Sequence, residues 1–119
     1  MLNLFRRFRP TKRIMIRALI YRGEESWTVQ GLEFDIVARG STPHDASESF
    51  LHLLRGWIEL DTELGREPFS ALVPAPRKYW EMFEQTPMIV TDQHDEHKTI
   101  QIPPSNIVST PEFRLCEAA

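Results

Sequence analysis

The chain of 119 residues contains a single cysteine, Cys116, so it forms no intramolecular disulfide and offers no cysteine-based zinc site or redox pair. Long hydrophobic runs are also absent. The most apolar stretch, residues 14–21, is interrupted by Arg17 and is much shorter than the roughly 20 residues that span a membrane. It is equally unlike the hydrophobic region of a signal peptide. We therefore expect a cytoplasmic protein that makes no membrane contact.

Acidic residues are missing from residues 1–22, which carry seven of the 14 arginine and lysine residues. The remainder, residues 23–119, has a formal charge of −10, and the whole chain has a charge of −3. This balance argues against a general nucleic-acid binder and suits a basic protein partner for the acidic part of the chain. Hydrophobic residues make up 41% of the sequence, which is typical of one folded, soluble domain of this length.

Three regions are expected along the chain. Residues 1–12 mix apolar and basic residues without periodicity and include Pro10, which predicts a mobile basic leader. Residues 13–104 are predicted to form a single α+β domain. Residues 105–119 are interpreted as a short peripheral tail.

Alternating apolar residues predict the first strands of the domain. The strand at 13–22 buries one face, and the polar link at 23–26 leads to a second strand at 27–30. A bend at Gly31 precedes a third strand within residues 32–38. The expected fold is an antiparallel sheet of three to four strands packed by one main helix, in the order β-β-β-α-(α)-β.

A helix start is the clearest local signal in the sequence. Thr42 supplies an N-cap hydroxyl, Pro43 occupies the first helical position, and Asp45 complements the positive end of the helix dipole. Gly40 permits the preceding strand to exit, and the small Ala46 lets the first turn approach the sheet. These residues predict that the helix begins directly after the sheet and packs against it.

The main helix is predicted to continue to Gly65, and a short second helix is predicted at 77–85. Short strands at 88–91 and 99–102 are expected to form a late hairpin. The apolar residues of the main helix, expected to form its core-facing stripe, are Ala46, Phe50, Leu53, Leu54, Trp57, Ile58, Leu60 and Leu64.

The segment from Ala18 to Leu60 resembles the HicB-like antitoxin domain. The resemblance lies in a strand followed by the motifs Trp27-x-Val29, Leu32-Glu33-x-Asp35-Ile36-Val37-Ala38 and Gly40-x-Thr42-x-x-Asp45-Ala46, then an amphipathic helix that ends in Ile58-Glu59-Leu60. It implies a three-stranded sheet, a helix across one face and a further strand, similar to a truncated RNase H-like or double-stranded-RNA-binding-like fold. It also implies a non-catalytic protein that neutralises a small RNA-cleaving toxin, HicA, by binding and covering it.

Many members of that family carry a C-terminal DNA-binding module, but residues 66–119 contain no recognisable DNA-reading motif, so operator binding is not expected. A small sheet with a helix on one face leaves its other face and an edge open, which favours a homo-oligomer, either a dimer or a larger assembly. The aromatic residues expected to form core or such an interface are Trp27, Trp57, Tyr79, Trp80 and Phe83.

Two further hypotheses remain open. Glu33 and Asp35 are two residues apart and would face the same side of an extended segment, where they could hold Mg²⁺ in a small metal-dependent nuclease or hydrolase. The basic leader could instead bind RNA. His94 and His97 form a weaker alternative metal pair within an acidic segment.

The first hypothesis, a protein-binding module, requires no catalytic residue, metal or other cofactor. Its predicted partner-binding residues combine the basic leader with residues of the first three strands: Arg6, Arg7, Arg9, Arg17, Trp27, Glu33 and Asp35.

Overall fold

The computed structural model describes residues 12–86, 100–101, 107–109 and 111–116, which form an α+β fold. In chain order the elements are β1 (Lys12–Ile14), β2 (Arg17–Arg22), β3 (Trp27–Gly31), β4 (Val37–Gly40), α1 (Pro43–Glu63), α2 (Arg77–Glu84), β5 (Ile100–Gln101), β6 (Ile107–Ser109) and β7 (Glu112–Cys116). No helix in these described ranges is long and apolar enough to cross a membrane.

The main sheet has four strands in the order β4-β3-β2-β7. The strands β2, β3 and β4 form the predicted antiparallel meander. The strand β7 lies beside β2 and runs parallel to it, so the sheet is mixed and not purely antiparallel as expected. Parallel neighbours require a long crossover, and the chain between β2 and β7, which includes α1, provides one.

The strand β7 comes from the segment that was interpreted as a peripheral tail. Phe113 is buried in the main core, and its ring meets the ring of Phe50 from α1 edge to face with 6.0 Å between centroids. A strand of five residues with a single large buried side chain shows little periodicity, which is why the sequence did not reveal it.

The strand boundaries also differ from the prediction. The strand expected at 13–22 is divided, because β1 ends at Ile14 and pairs with β6 in a second sheet of order β1-β6-β5. The third strand begins at Val37, after a turn in which the Gly31 amide donates to the Ile36 carbonyl. The expected partner segment 88–91 of the late hairpin lies outside the described residues, and β5 pairs with β6.

The helix α1 begins as predicted. The Asp45 amide donates a hydrogen bond of 3.0 Å to the Thr42 hydroxyl, and Pro43 is the first helical residue. Gly65 follows the helix with a φ of +67°, a conformation that favours glycine. Ala46, Phe50, Leu54 and Ile58 enter the main core, but Leu53, Leu60 and Leu64 are exposed, which corrects their predicted place in the core-facing stripe. The buried side of α1 also includes Ser47 and Asp61, so the core-facing side is rotated away from these three leucines.

The second face of the sheet is covered in part by α2, so the expectation that only one main helix packs on the sheet is incomplete. Leu19 of β2 and Phe83 of α2 are buried there, with Tyr79 and Trp80 partly buried around them. The tyrosine rings of Tyr21 and Tyr79 stack with 6.0 Å between centroids. These α2 aromatic residues therefore form a second small core. Trp27 and Trp57 pack at the border of the main core.

Candidate functional site

A shallow groove of about 690 Å³ lies between β4 and α1. It is lined by Val37, Ala38 and Arg39 of β4 and by Ser49, His52 and Leu53 of α1. We call it the β4–α1 groove. Val37 and Leu53 leave 42% and 41% of their surface exposed, although both are large aliphatic residues. The groove is therefore an apolar surface bordered by hydroxyl, imidazole and guanidinium groups, a composition that suits contact with a protein better than solvation.

The connection between β4 and α1 determines the geometry of the groove. A Cβ added at Gly40 would lie 2.3 Å from the Ala46 amide nitrogen, so only glycine allows the helix to begin this close to the strand. The Ser41 hydroxyl donates to the Asp45 carboxylate, and Thr42 caps the helix. These contacts fix the start of α1 directly above β4, which aligns Leu53 with Val37.

The strand β4 is also an edge of the main sheet. Within the described residues no strand pairs with its outer side, so part of its backbone amide and carbonyl groups has no partner in a ladder. An exposed strand edge beside an apolar groove is the arrangement that proteins use to bind an extended segment of a partner. The strand is short and carries the charged Arg39, features that limit indiscriminate edge pairing.

Arg17 and Glu33, both predicted to contact a partner, bind each other. The Glu33 carboxylate accepts hydrogen bonds of 2.7 Å from the backbone amide and from Nε of Arg17. The Arg17 guanidinium also lies over the ring of Trp80, 4.7 Å from its centroid. This cluster connects the start of β2 to the turn before β4 and to α2. These contacts join three parts of the chain and so stabilise the fold.

Asp35 does not join Glu33 in a common ligand set. The Asp35 carboxylate accepts a hydrogen bond of 2.7 Å from the side-chain amide of Gln30, while Glu33 is bound to Arg17. Among the described residues, no group of three or more histidine, cysteine, aspartate or glutamate side chains is arranged to hold a metal ion.

The remaining predicted site residues fall in different places. Trp27 is half-buried at the start of β3, opposite Gly40, and the Arg22 guanidinium lies 5.8 Å from its ring centroid. The leader residues and the histidine pair lie outside the described residues: Arg6, Arg7, Arg9, His94 and His97. The predicted residues thus do not form one continuous surface in the described ranges.

A smaller polar pocket of about 360 Å³ lies near the turn between β2 and β3. Tyr21, Thr28 and Arg39 contribute to its lining together with Glu24 and Glu25. Burial raises the pKa of Tyr21 above its ordinary value, and the neighbouring Tyr79 phenol raises it further, while Thr28 and Arg39 act in the opposite direction. Tyr21 therefore remains a neutral phenol at physiological pH, where it contributes packing and a hydroxyl group.

Sequence reasoning missed Asp61, which supports the far end of α1. Its fully buried carboxylate accepts hydrogen bonds from Nε and Nη2 of Arg66 and from the backbone amide of Phe69. Phe69 has a φ of +62°, which is unusual for a residue with a large side chain. The sequence does contain a sign of this buried acid. Asp61 lies three residues after Ile58 and seven residues after Leu54, which places it on the buried side of the helix.

The groove itself was also missed, because Leu53 was assigned to the core and the third strand was placed too early.

Comparison of the chain with protein-family models, with curated proteins and with solved structures yields no match.

Proposed function

We propose that this chain is a non-catalytic, HicB-like protein-binding module that neutralises a small RNA-cleaving protein by covering its functional face. The docking surface is the β4–α1 groove together with the open edge of β4. The observation that supports this proposal most directly is the exposure of Val37 and Leu53 beside the edge of β4, with which no described strand pairs. A strand of the partner would extend the sheet through backbone hydrogen bonds, and its side chains would enter the groove.

The order of the elements supports this proposal. An antiparallel meander of three strands is followed by a helix across the sheet and later by a strand beside β2. That order corresponds to the arrangement implied by the resemblance to the HicB-like domain. A shared architecture hosts many functions, so it supports the assignment only in combination with the groove.

Charge supports a basic partner. Residues 23–119 have a formal charge of −10, whereas a protein that binds and cleaves RNA needs a basic surface. Opposite net charges accelerate the encounter of two proteins and increase its dependence on salt. We expect complex formation to slow as the ionic strength is raised.

The arrangement of the carboxylates favours binding over hydrolysis by this chain. The proposed alternative, a metal-dependent nuclease, requires Glu33 to be available to a metal ion, but the carboxylate accepts two hydrogen bonds from Arg17. The second alternative, RNA binding by the leader, concerns residues 1–12, of which 1–11 lie outside the described residues.

The test uses the small basic protein, if any, encoded in the reading frame next to this chain's own. Binding is measured by calorimetry, and RNA cleavage by that protein is measured with and without the chain. We expect tight binding and loss of cleavage, both weakened by Val37→Lys. The matched control is Val73→Lys, because Val73 is 65% exposed and does not line the groove.

Two results would overturn the proposal. One is the absence of any such adjacent basic reading frame or of binding to its product. The other is cleavage of RNA by this chain alone with Mg²⁺ that is lost in Glu33→Gln. RNA binding that is sensitive to salt and lost on deletion of residues 1–12 would favour the leader hypothesis instead.

A further inference from the structure

The exposed side of α1 carries an apolar stripe that continues beyond the groove. Its members are Leu53, Gly56, Leu60 and Leu64, which lie on one side of the helix at spacings of three and four residues. We call this set the α1 stripe. The three leucines expose 41%, 42% and 57% of their surface, in chain order. Among the residues that the structure describes, these three leucines form an apolar surface on one helix side that has no partner.

Gly56 gives this stripe its distinctive shape. A Cβ added at Gly56 would meet nothing within 4 Å, so the fold of a single chain does not require glycine there. Glycine in the middle of a helix lowers helix stability relative to alanine. Its absent side chain leaves a notch between Leu53 and Leu60, into which the backbone of another helix can come close.

We propose that the α1 stripe binds a second copy of this chain, with the two α1 helices antiparallel and crossing near Gly56. In that alignment Leu53 of one copy faces Leu60 of the other, and the two-fold axis repeats the contact in reverse. Ser49 then faces Leu64. The two glycine notches lie near the axis, where two helices come closest together.

The polar side chains beside the stripe can form hydrogen bonds with each other in this arrangement. His52, Glu59 and Glu63 are exposed and lie in one row, at i, i+7 and i+11 on the helix. A two-fold axis perpendicular to the helices makes the row of one copy face the same row of the other in the opposite direction. His52 of one copy therefore lies between Glu59 and Glu63 of the other. In a parallel pair, whose two-fold axis runs along the helices, this row would instead face the opposite flank of the other copy's stripe, and His52 would meet neither glutamate.

This self-complementarity argues for a second copy as the occupant. The inference goes beyond the proposed function and does not depend on it, but the dimer contact uses Ser49, His52 and Leu53, which also line the β4–α1 groove, so a second copy and a partner compete for this side of α1. A protein that dimerises without binding the basic partner, or that binds the partner as a monomer, separates the two proposals.

The test measures the dimer dissociation constant by sedimentation equilibrium, together with the Tm of each variant. We expect the wild-type protein to dimerise and Gly56→Leu to weaken the dimer by at least about tenfold, because the new side chain fills the notch. The Tm measured at a concentration where both proteins are monomeric should be unchanged or higher, since the site is open and leucine favours helix.

The matched control is Arg55→Leu, which adds the same side chain to an exposed position outside the stripe and should dimerise like the wild type. His52→Glu tests the register, because it places a third acid between two glutamates and should also weaken the dimer. A monomeric wild-type protein, or Gly56→Leu that dimerises as tightly as the wild type, would overturn the proposal. Unchanged dimerisation of His52→Glu would contradict the antiparallel register.

Discussion

The buried carboxylate of Asp61 gives the sharpest prediction about stability. Replacing it with alanine leaves the buried Phe69 amide without an acceptor, which costs about 1–3 kcal/mol. It also removes the two hydrogen bonds that Arg66 donates, but the Arg66 side chain is 38% exposed and can return to water, so this loss is only about 1 kcal/mol. Asp61→Ala should therefore lower the free energy of unfolding by about 2–4 kcal/mol.

Asp61→Asn separates the two contributions. Asparagine retains an oxygen acceptor for the Phe69 amide but loses the charge that attracts Arg66, so the expected cost is smaller, about 1–2 kcal/mol. Both variants would be measured by urea unfolding at a concentration where the protein is monomeric. A change in midpoint with a constant slope would report a change in stability alone.

The control is Glu84→Ala, which removes an exposed carboxylate from α2 and should change stability by less than about 0.5 kcal/mol. If Asp61→Ala were as stable as the wild type, the carboxylate would not anchor the segment after α1.

Three other outcomes follow from the structure. Gly40→Ala should destabilise the fold by about 3 kcal/mol or more in chemical denaturation, because its Cβ would overlap the first turn of α1, whereas Gly56→Ala should not destabilise it. Thr42→Ala should cost about 1 kcal/mol in the same assay through loss of the cap, and Thr42→Ser should retain most of it. The pKa of Tyr21 is raised, so the folded protein holds the phenol proton more tightly than the unfolded chain does. The resulting contribution to stability is fully present below the ordinary tyrosine pKa. It is lost as the pH rises through the pKa of Tyr21 in the folded protein. The loss of stability at alkaline pH should therefore be less steep in Tyr21→Phe, and an equally steep dependence of the unfolding free energy on pH in both proteins would contradict this.

Local chemistry explains which parts of the fold could be predicted. At the helix start, Thr42, Pro43 and Asp45 act as the sequence indicates, whereas Gly40 serves chiefly to leave room for the first turn of α1. The antiparallel meander was likewise predicted, because alternating residues and a short polar link define a hairpin locally.

The errors arise where distant segments decide the structure. The pairing of β7 with β2 depends on residues about 95 positions apart, and nothing within residues 112–116 encodes that neighbour. The second helix buries Leu19 from the opposite face of the sheet, so both faces of β2 are apolar and a simple alternation cannot distinguish them.

The candidate site was hidden for a related reason. Leu53 and Leu54 are adjacent leucines on α1, yet Leu54 is fully buried and Leu53 is exposed. Hydrophobic spacing identifies the broad apolar side of a helix but not where the core ends and an interface begins. The exposed Val37 beside Leu53 marks that boundary only after β4 and α1 are placed together.

The edge of β4 is the most direct place to test the central claim. Amide hydrogen exchange would be measured on the chain alone and in the presence of the small basic protein, if any, that is encoded in the adjacent reading frame. We predict slower exchange at Val37–Gly40 on complex formation, because a partner strand would accept hydrogen bonds from amides that face outward, while Arg77–Glu84 should exchange as before. Protection confined to other segments, with β4 unchanged, would contradict binding at this edge.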